Sequence, residues 1–528
     1  MRRARVGFAA AMALVALTVS ACGGSSGGDG TAQKTTSGAS GAGSDRQAMS
    51  VAMGVQSFEA LDPQMQASPP TDSITRLMYE SLVRLGDGSR IEPLLATAWK
   101  NPSPKVWEFT LRDGVVFHDG AKLDARAVVA SFERMLDPKN ERTRSSEYAD
   151  VASVTAPSSM TVRFKLKRVW PTFLYQLAYT SGVIVSPKAA AQYGDRLDRH
   201  PAGTGPYRYG RSGSGGAVTL TRYDRYWGEA SAVGTLRFVP VASDQTRELM
   251  LKSGQADIVS SLPTSSMQQV ESDANLQVVK TEGGMVMQIG LNTLYKPLED
   301  VRVRQALNLA VDTKSLVSSL FLDQAVESKS YLAPSTLDYR EADGYDYDPE
   351  KAKQLLAEAG YENGFELELQ VPSGRYPMAK ETAEAVQGYL QAVGVRVKLV
   401  TLDFGALIDA ITQPRDKNKV QSYLLGWQAA TGEPSLVSQI VFKSDATPPD
   451  GWNTMFYANP KVDAAIDAAA VETDDAKRAD SYGTAQELVV ADAPWLFLYV
   501  PKNLTGAKAG ITGIDALPDG TLLLAGVR

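Results

Sequence analysis

Cys22 is the only cysteine in this 528-residue chain, and His118 and His200 are its only histidines. That inventory excludes an intramolecular disulfide framework and a cysteine-rich metal centre, and it leaves little material for zinc chemistry or a histidine-based triad. Gly23-x-Ser25-x-Gly27 matches the spacing of a nucleophile elbow. It sits in a Gly/Ser tract with no strand or helix on either side, so the strained turn that would activate the serine cannot form. His118 belongs to a His118-Asp119-Gly120 turn with no second histidine or thiol near it in sequence, which favours a ring that bonds backbone over a base or ligand. Composition therefore argues against a typical hydrolase or metalloenzyme, with no catalytic residue, metal or cofactor expected; non-covalent recognition needs none of them.

Charge and composition narrow that recognition. The formal net charge is −6, from 54 basic and 60 acidic residues. A chain so balanced has no overall field with which to hold nucleic acid. Hydrophobic residues at 44% and charged residues at 22% describe a soluble globular body, neither disordered nor polytopic in a membrane. Its length exceeds what one core supports, so two or more lobes are expected.

The N-terminus carries an address. Arg2, Arg3 and Arg5 precede an apolar and small-residue run over residues 6–19, shorter than the about 20 residues of a bilayer span. The run ends in Val19-Ser20-Ala21-Cys22, which resembles the bacterial lipobox. Residues 1–21 are therefore expected to be a signal peptide and Cys22 the site of lipid attachment, an anchor without a spanning helix. Residues 22–47 are dominated by Gly, Ser, Thr and Ala, with no apolar surface to bury. Such a tether spans roughly 25–30 Å as a flexible coil.

The body must then position any recognition residues. Residues 73–85 show helical periodicity, residues 106–111 alternate like a strand, and Asp124 caps a helix stopped by Asp137-Pro138. Pro201-Ala202-Gly203-Thr204-Gly205-Pro206-Tyr207 is a rigid junction. Beyond it the pattern turns to α/β alternation: helices start at Asp300 and at Asp348-Pro349, and strand 365–371, helix 379–392 and strand 395–402 form a βαβ unit. Residues 420–427 read as a further buried strand.

Several stretches together resemble the bacterial family 5 solute-binding proteins, the substrate-binding subunits of peptide/nickel-type ABC importers. They are Glu92-Pro93-Leu94-Leu95-Ala96 with Trp99, residues 109–120, Gly203-Thr204-Gly205-Pro206-Tyr207, residues 300–312, and residues 347–361. The resemblance implies an α/β fold of the periplasmic-binding-protein type, with two hinged lobes and an extra α+β domain. It divides the chain into a first lobe (48–92, 201–292 and 496–528), an extra domain (93–200) and a second lobe (293–495). It implies a monomer, lipid-anchored to the outer face of the cell membrane, that captures an oligopeptide or similar solute between its lobes. Its partners would be ABC permease and ATPase subunits.

The resemblance also nominates ligand-binding residues: Gly426 and Trp427, then Trp452 and Asn453, with Glu433, Tyr499 and Phe58. In peptide-binding members an aspartate shortly after the tryptophan pairs with the peptide's α-ammonium; the matching position here is Ala430. An ammonium buried without a counter-charge costs several kcal/mol. Either another carboxylate substitutes, or the solute lacks that amine. A metal chelate, an oligosaccharide or another small molecule is the alternative cargo, and a ligand-sensing receptor without transport the alternative role. A secreted hydrolase has the least support.

Overall fold

Residues 48–86, 90–139 and 142–528 are described in a computed structural model; the expected signal peptide, Cys22 and the tether lie outside them. The strand Met49–Met53 explains the centre of the first sheet. Met49, Val51 and Met53 enter one core while Ala52 enters another, so the strand is covered on both faces. Double burial is the condition under which parallel pairing is stable, and this strand pairs in parallel with both Thr235–Pro240 and Ile258–Val259. The seven-stranded sheet runs Leu276–Thr281, Asn503–Lys508, Ile258–Val259, Met49–Met53, Thr235–Pro240, Val218–Arg222, Tyr207–Ser212.

The second sheet has six strands, in the order Ala325–Glu327, Trp495–Pro501, Met285–Leu291, Ser422–Gln428, Phe365–Ser373, Val395–Asp403. Its βαβ unit is the one expected. Phe365–Ser373 pairs in parallel with Val395–Asp403 along its whole length. The helix Ala379–Ala392 connects them and buries Ala379, Ala383, Val386 and Leu390 against the sheet, an i, i+3, i+4 stripe. A four-stranded antiparallel sheet (Ala96–Ser103, Val106–Leu111, Thr161–Leu166, Val151–Ser158) forms the third unit. One face packs Phe109 and Phe164 on Phe132 of the helix Ala125–Leu136, whose Asp124 cap accepts from the Ala127 amide. The fold class is therefore α/β with an additional α+β unit, as expected.

Two details correct the sequence reading. The first helix spans Pro69–Met78, not 73–85, because Pro69 occupies its first turn and the chain extends at Tyr79; Val83–Leu85 is a strand. The expected lobe boundaries at 292/293 and 495/496 also move. Met285–Leu291 pairs from end to end with Ser422–Gln428, and Trp495–Pro501 pairs with Met285–Leu291, so both strands belong to the second sheet. The chain therefore crosses between the two large sheets at residues 282–284 and at Lys502.

Those crossings are built for close approach. A Cβ on Gly283 would lie 1.8 Å from the Pro501 carbonyl oxygen, so only glycine lets the two crossing backbones pass. The Asn503 side-chain amide donates to the carbonyls of Glu282, Leu517 and Pro518, tying one crossing to the other and to the C-terminal tail. The Gly203-Thr204-Gly205 junction follows the same rule: a Cβ at Gly203 would meet the Met78 carbonyl oxygen at 2.1 Å.

Strand direction fixes where a solute could sit. Leu276–Thr281 runs in the direction of the parallel strands of the first sheet, so it delivers the first crossing from their carboxyl edge. In the second sheet Met285 pairs with Gln428, so the crossing enters at the carboxyl edge there too, and Trp495–Pro501 leaves from it. The carboxyl edges of the two large sheets are thus joined by two short connections.

Candidate solute-binding site

In open α/β sheets ligands bind in the crevice outside the carboxyl ends of the strands, where loops present side chains and free backbone. On the first sheet these loops are 54–60, 241–244 and 260–263. Arg247, 3% exposed on the helix Asp244–Lys252, binds them into one piece. Its Nε donates to Ser260 O, Nη1 to Val241 O and Ala242 O, and Nη2 to Ser261 O and the Asp244 carboxylate. All its donors are consumed, so Arg247 is a brace and not an anion receptor. The amide of Gly54 donates to the Ser260 hydroxyl, closing the same edge. Phe58 lies on the first loop, half-buried against the first core.

The second sheet's edge carries an aromatic surface. The Trp427 ring meets the Trp452 ring edge to face, with centroids 5.6 Å apart and planes at 80°. Both are half-buried, packing one side on the core that includes Val286 and Leu425. Gly426, before Trp427 on the strand, lies against the other face of the sheet: a Cβ there would strike the Met285 and Met287 sulfurs at 2.6 and 2.9 Å. Tyr376 and Phe404 stand edge to face at 6.2 Å, and the Arg375 guanidinium lies 5.4 Å from the Tyr376 ring and 5.1 Å from the Phe404 ring. Arg375 is exposed and its stacking on two rings aims a cation from the carboxyl end of Phe365–Ser373.

Two acidic groups near this edge are already committed. Asp403 accepts from the Ala406 amide and caps the helix Phe404–Ile411. Glu433, expected as a solute ligand, is 4% exposed and accepts from the Ser435 amide at 2.9 Å, the Ser435 hydroxyl at 2.7 Å and the Thr431 hydroxyl at 3.3 Å. Burial pushes its carboxyl above the usual range, opposed by those hydrogen bonds and by the Thr172 hydroxyl. Ala430, half-buried in the same loop, offers no carboxylate.

Two further nominated residues are structural. Asn453 is fully buried; its amide nitrogen donates to the Lys443 and Tyr457 carbonyls and its oxygen accepts from the Tyr457 amide, so it folds its own loop. It thereby holds the neighbouring Trp452 in place. Tyr499 is 1% exposed, bonded to the Thr382 hydroxyl and packed on Phe321 at 4.4 Å, inside the second sheet's core. The strand Trp495–Pro501 is covered on both faces, and position 499 points into the core that holds Phe321. His118 does what its turn suggested: Nδ1 accepts from the Gly203 amide and Nε2 faces the Gly205 carbonyl at 3.0 Å. Among the described residues no group of three or more His, Cys, Asp or Glu is arranged to hold a metal ion.

Arg375, Tyr376, Phe404 and the brace Arg247 were not singled out by sequence. The first three follow directly after the strands of the recognised βαβ unit, so the carboxyl-end rule applied to that unit would have found them. No sequence signal distinguishes Arg247 from any other helical arginine.

Comparison with known proteins agrees with this architecture. The sequence profile of the bacterial extracellular solute-binding proteins, family 5 (middle region) matches residues 90–448. A glutathione-binding protein of Salmonella paratyphi A is 29% identical over 472 residues, covering 89% of this chain and 92% of that protein. One from Pectobacterium atrosepticum is 30% identical over 466 residues, covering 88% and 90%. Among solved structures, HbpA2 from Haemophilus parasuis superposes with a TM-score of 0.82 at 26% identity, covering 91% of this chain and 99% of that one. A dipeptide-binding protein from a Pseudoalteromonas species, in complex with Met-Leu, gives 0.74 at 25% identity with the same coverage.

Proposed function

Because the chain belongs to the bacterial extracellular solute-binding proteins of family 5, and so serves an ABC importer and is not an enzyme, we propose that it captures a short carboxylate-bearing solute of the peptide type. The solute lies between the two carboxyl edges, with its apolar part against Trp427 and Trp452 and its carboxylate on Arg375. Hinging about residues 282–284 and Lys502 closes the lobes over it, excluding water so that few polar contacts suffice. The closed form delivers the solute to a membrane permease, and a lipid on Cys22 keeps the body, a monomer, beside that permease.

The observation that carries this reading is Arg375. It is an exposed guanidinium stacked on two aromatic rings, and the nearby Asp403 carboxylate is spent on a helix cap. An arginine so held is preorganised for a planar carboxylate. Glutathione and dipeptides, named for the relatives, both carry one. The position of Ala430 favours recognition that does not depend on a free amine, which admits amine-blocked and non-peptide acids as well.

The test is calorimetric titration with glutathione, Met-Leu, N-acetyl-Met-Leu and the amide of Met-Leu. Binding that survives acetylation and is lost on amidation is the expected result. Binding lost on acetylation and retained on amidation would overturn the assignment of Arg375 and restore amine recognition.

A further inference from the structure

Both histidines of the chain line one cavity, and it is not the solute cleft. The cavity, of about 320 Å³, opens where the turn at His118 and the helix Pro187–Tyr193 meet the start of the strand Tyr207–Ser212. Strand direction places it. Tyr207–Ser212 runs antiparallel to Val218–Arg222, which runs antiparallel to Thr235–Pro240, itself parallel to Met49–Met53. Arg208, at the beginning of its strand, therefore stands at the amino edge of the first sheet, whereas the solute edge is the carboxyl one. Residue 48, where the expected tether joins the body, is at that same amino edge.

The wall is rich in uncommitted donors. Arg208 is exposed and, among the described residues, its guanidinium has no hydrogen bond and no ion pair. Lys188 gives one of its donors to the Asp119 carbonyl at 3.0 Å and keeps the others. His200 stacks on Tyr193 with centroids 4.0 Å apart and planes at 14°, and its ring nitrogens bond nothing among the described residues. His118, by contrast, is occupied between Gly203 and Gly205. Asp119 is the one carboxylate among the described residues of this wall. It accepts from the Ser186 hydroxyl and from the Ala121 amide, and no ion pair joins it to Lys188 or Arg208. Cations gathered without a paired counter-charge make a site for an anion.

We propose that this cavity is a second binding site, for a phosphate-bearing anion. Its donors come from three elements: Lys188 from a helix, Arg208 from a strand and His200 from the link between them. Donors so distributed suit a tetrahedral oxyanion, which is contacted all round, better than a planar carboxylate, which one arginine fork satisfies. A bare phosphate fills only part of the cavity, so an ester is taken, its body against the stack of Tyr193 and His200. The same group occurs on soluble phosphate esters and on the headgroups of anionic phospholipids. The site stands apart from the solute assignment and does not depend on it.

The experiment uses residues 48–528, which hold every described element. Glycerol 3-phosphate is titrated in the calorimeter, and in a second arm the protein is sedimented with vesicles of phosphatidylglycerol, with phosphatidylcholine vesicles as the control. Saturable binding is expected, weakened at least about tenfold by Arg208→Gln and by Lys188→Gln. Arg211→Gln, which alters an exposed arginine of the same strand outside the cavity, is expected to bind like the parent. Binding of glycerol 3-phosphate assigns a soluble ester; binding to the phosphatidylglycerol vesicles alone assigns a lipid headgroup. Arg375→Gln is expected to keep this binding, and Arg208→Gln to keep that of Met-Leu, which separates the two sites. No saturable binding in either arm would overturn the proposal. So would equal weakening by Arg208→Gln and Arg211→Gln, or a loss caused by Arg375→Gln and not by Arg208→Gln. Failure of Met-Leu to bind the parent protein would sink the solute reading and leave this site standing.

Discussion

The indole of Trp427 and the indole of Trp452 meet edge to face at 5.6 Å, one carried on the end of the strand Ser422–Gln428 and the other on a loop folded by Asn453. Neither ring is buried enough to be core alone, and each leaves one side at the carboxyl edge of the sheet.

Trp427→Ala is expected to weaken solute binding by about 1–3 kcal/mol, the worth of an aromatic wall. Trp452→Ala is expected to cost a similar amount, and the double variant less than the sum, because the rings support one another. Calorimetry on the four proteins measures this. Unchanged affinity with a lowered melting temperature would return both rings to the core.

The crossing at Gly283 has no room for a methyl group. Gly283→Ala must push the Pro501 backbone away, a cost of about 1–3 kcal/mol for overpacking. The expected outcome is a lower melting temperature together with a changed scattering profile on solute addition. A Gly283→Ala protein that melts and closes like the parent would show that the two backbones do not run together there.

His118 makes stability depend on pH. Burial pushes its ring down to about 4, with the Arg208 charge adding to the shift. An unfolded histidine titrates near 6.5, so between about 6.5 and 4 the unfolded chain takes up a proton that the folded chain refuses. Stability is therefore full above 6.5 and declines as pH falls towards 4, by at most about 2–3 kcal/mol for this one group. His118→Gln is expected to flatten that part of the melting-temperature profile. An unaltered slope would move the proton uptake elsewhere.

How much of this was legible beforehand varied with the kind of signal. The βαβ unit of residues 365–403 was plain because a period of two and a period of 3.6 alternate, with Gly394 ending the helix. The strand ends at 285 and 501 were not, because an apolar run such as Trp495–Pro501 reads the same in either sheet; only hydrogen-bond pairing decides membership. Trp427 and Trp452 were nominated by their position in a family pattern. Asn453 and Tyr499 were nominated for the same reason, and burial with satisfied polar atoms removes them. Glu433 was chosen as the nearest carboxylate to a missing one, yet a side chain's accepting partners depend on a fold that sequence distance does not convey. Arg375 gave no motif, and its meaning comes from Phe404, which lies across a helix and a strand from it.

Cys22→Ala is expected to release the protein from the membrane fraction or to leave its precursor uncleaved. Metabolic labelling with a fatty acid, followed by fractionation, checks this. Lipid label on the alanine variant would sink the assignment of Cys22.

Carboxylate recognition is tested most directly by native mass spectrometry of residues 48–528 as purified, with release and identification of any bound mass, repeated on Arg375→Gln. The predicted result is one or more retained small molecules bearing a carboxylate, absent from the Arg375→Gln protein although its melting temperature is unchanged. A bound molecule without an acidic group, or equal retention by both proteins, would contradict the assignment of the cleft to a carboxylate-bearing solute.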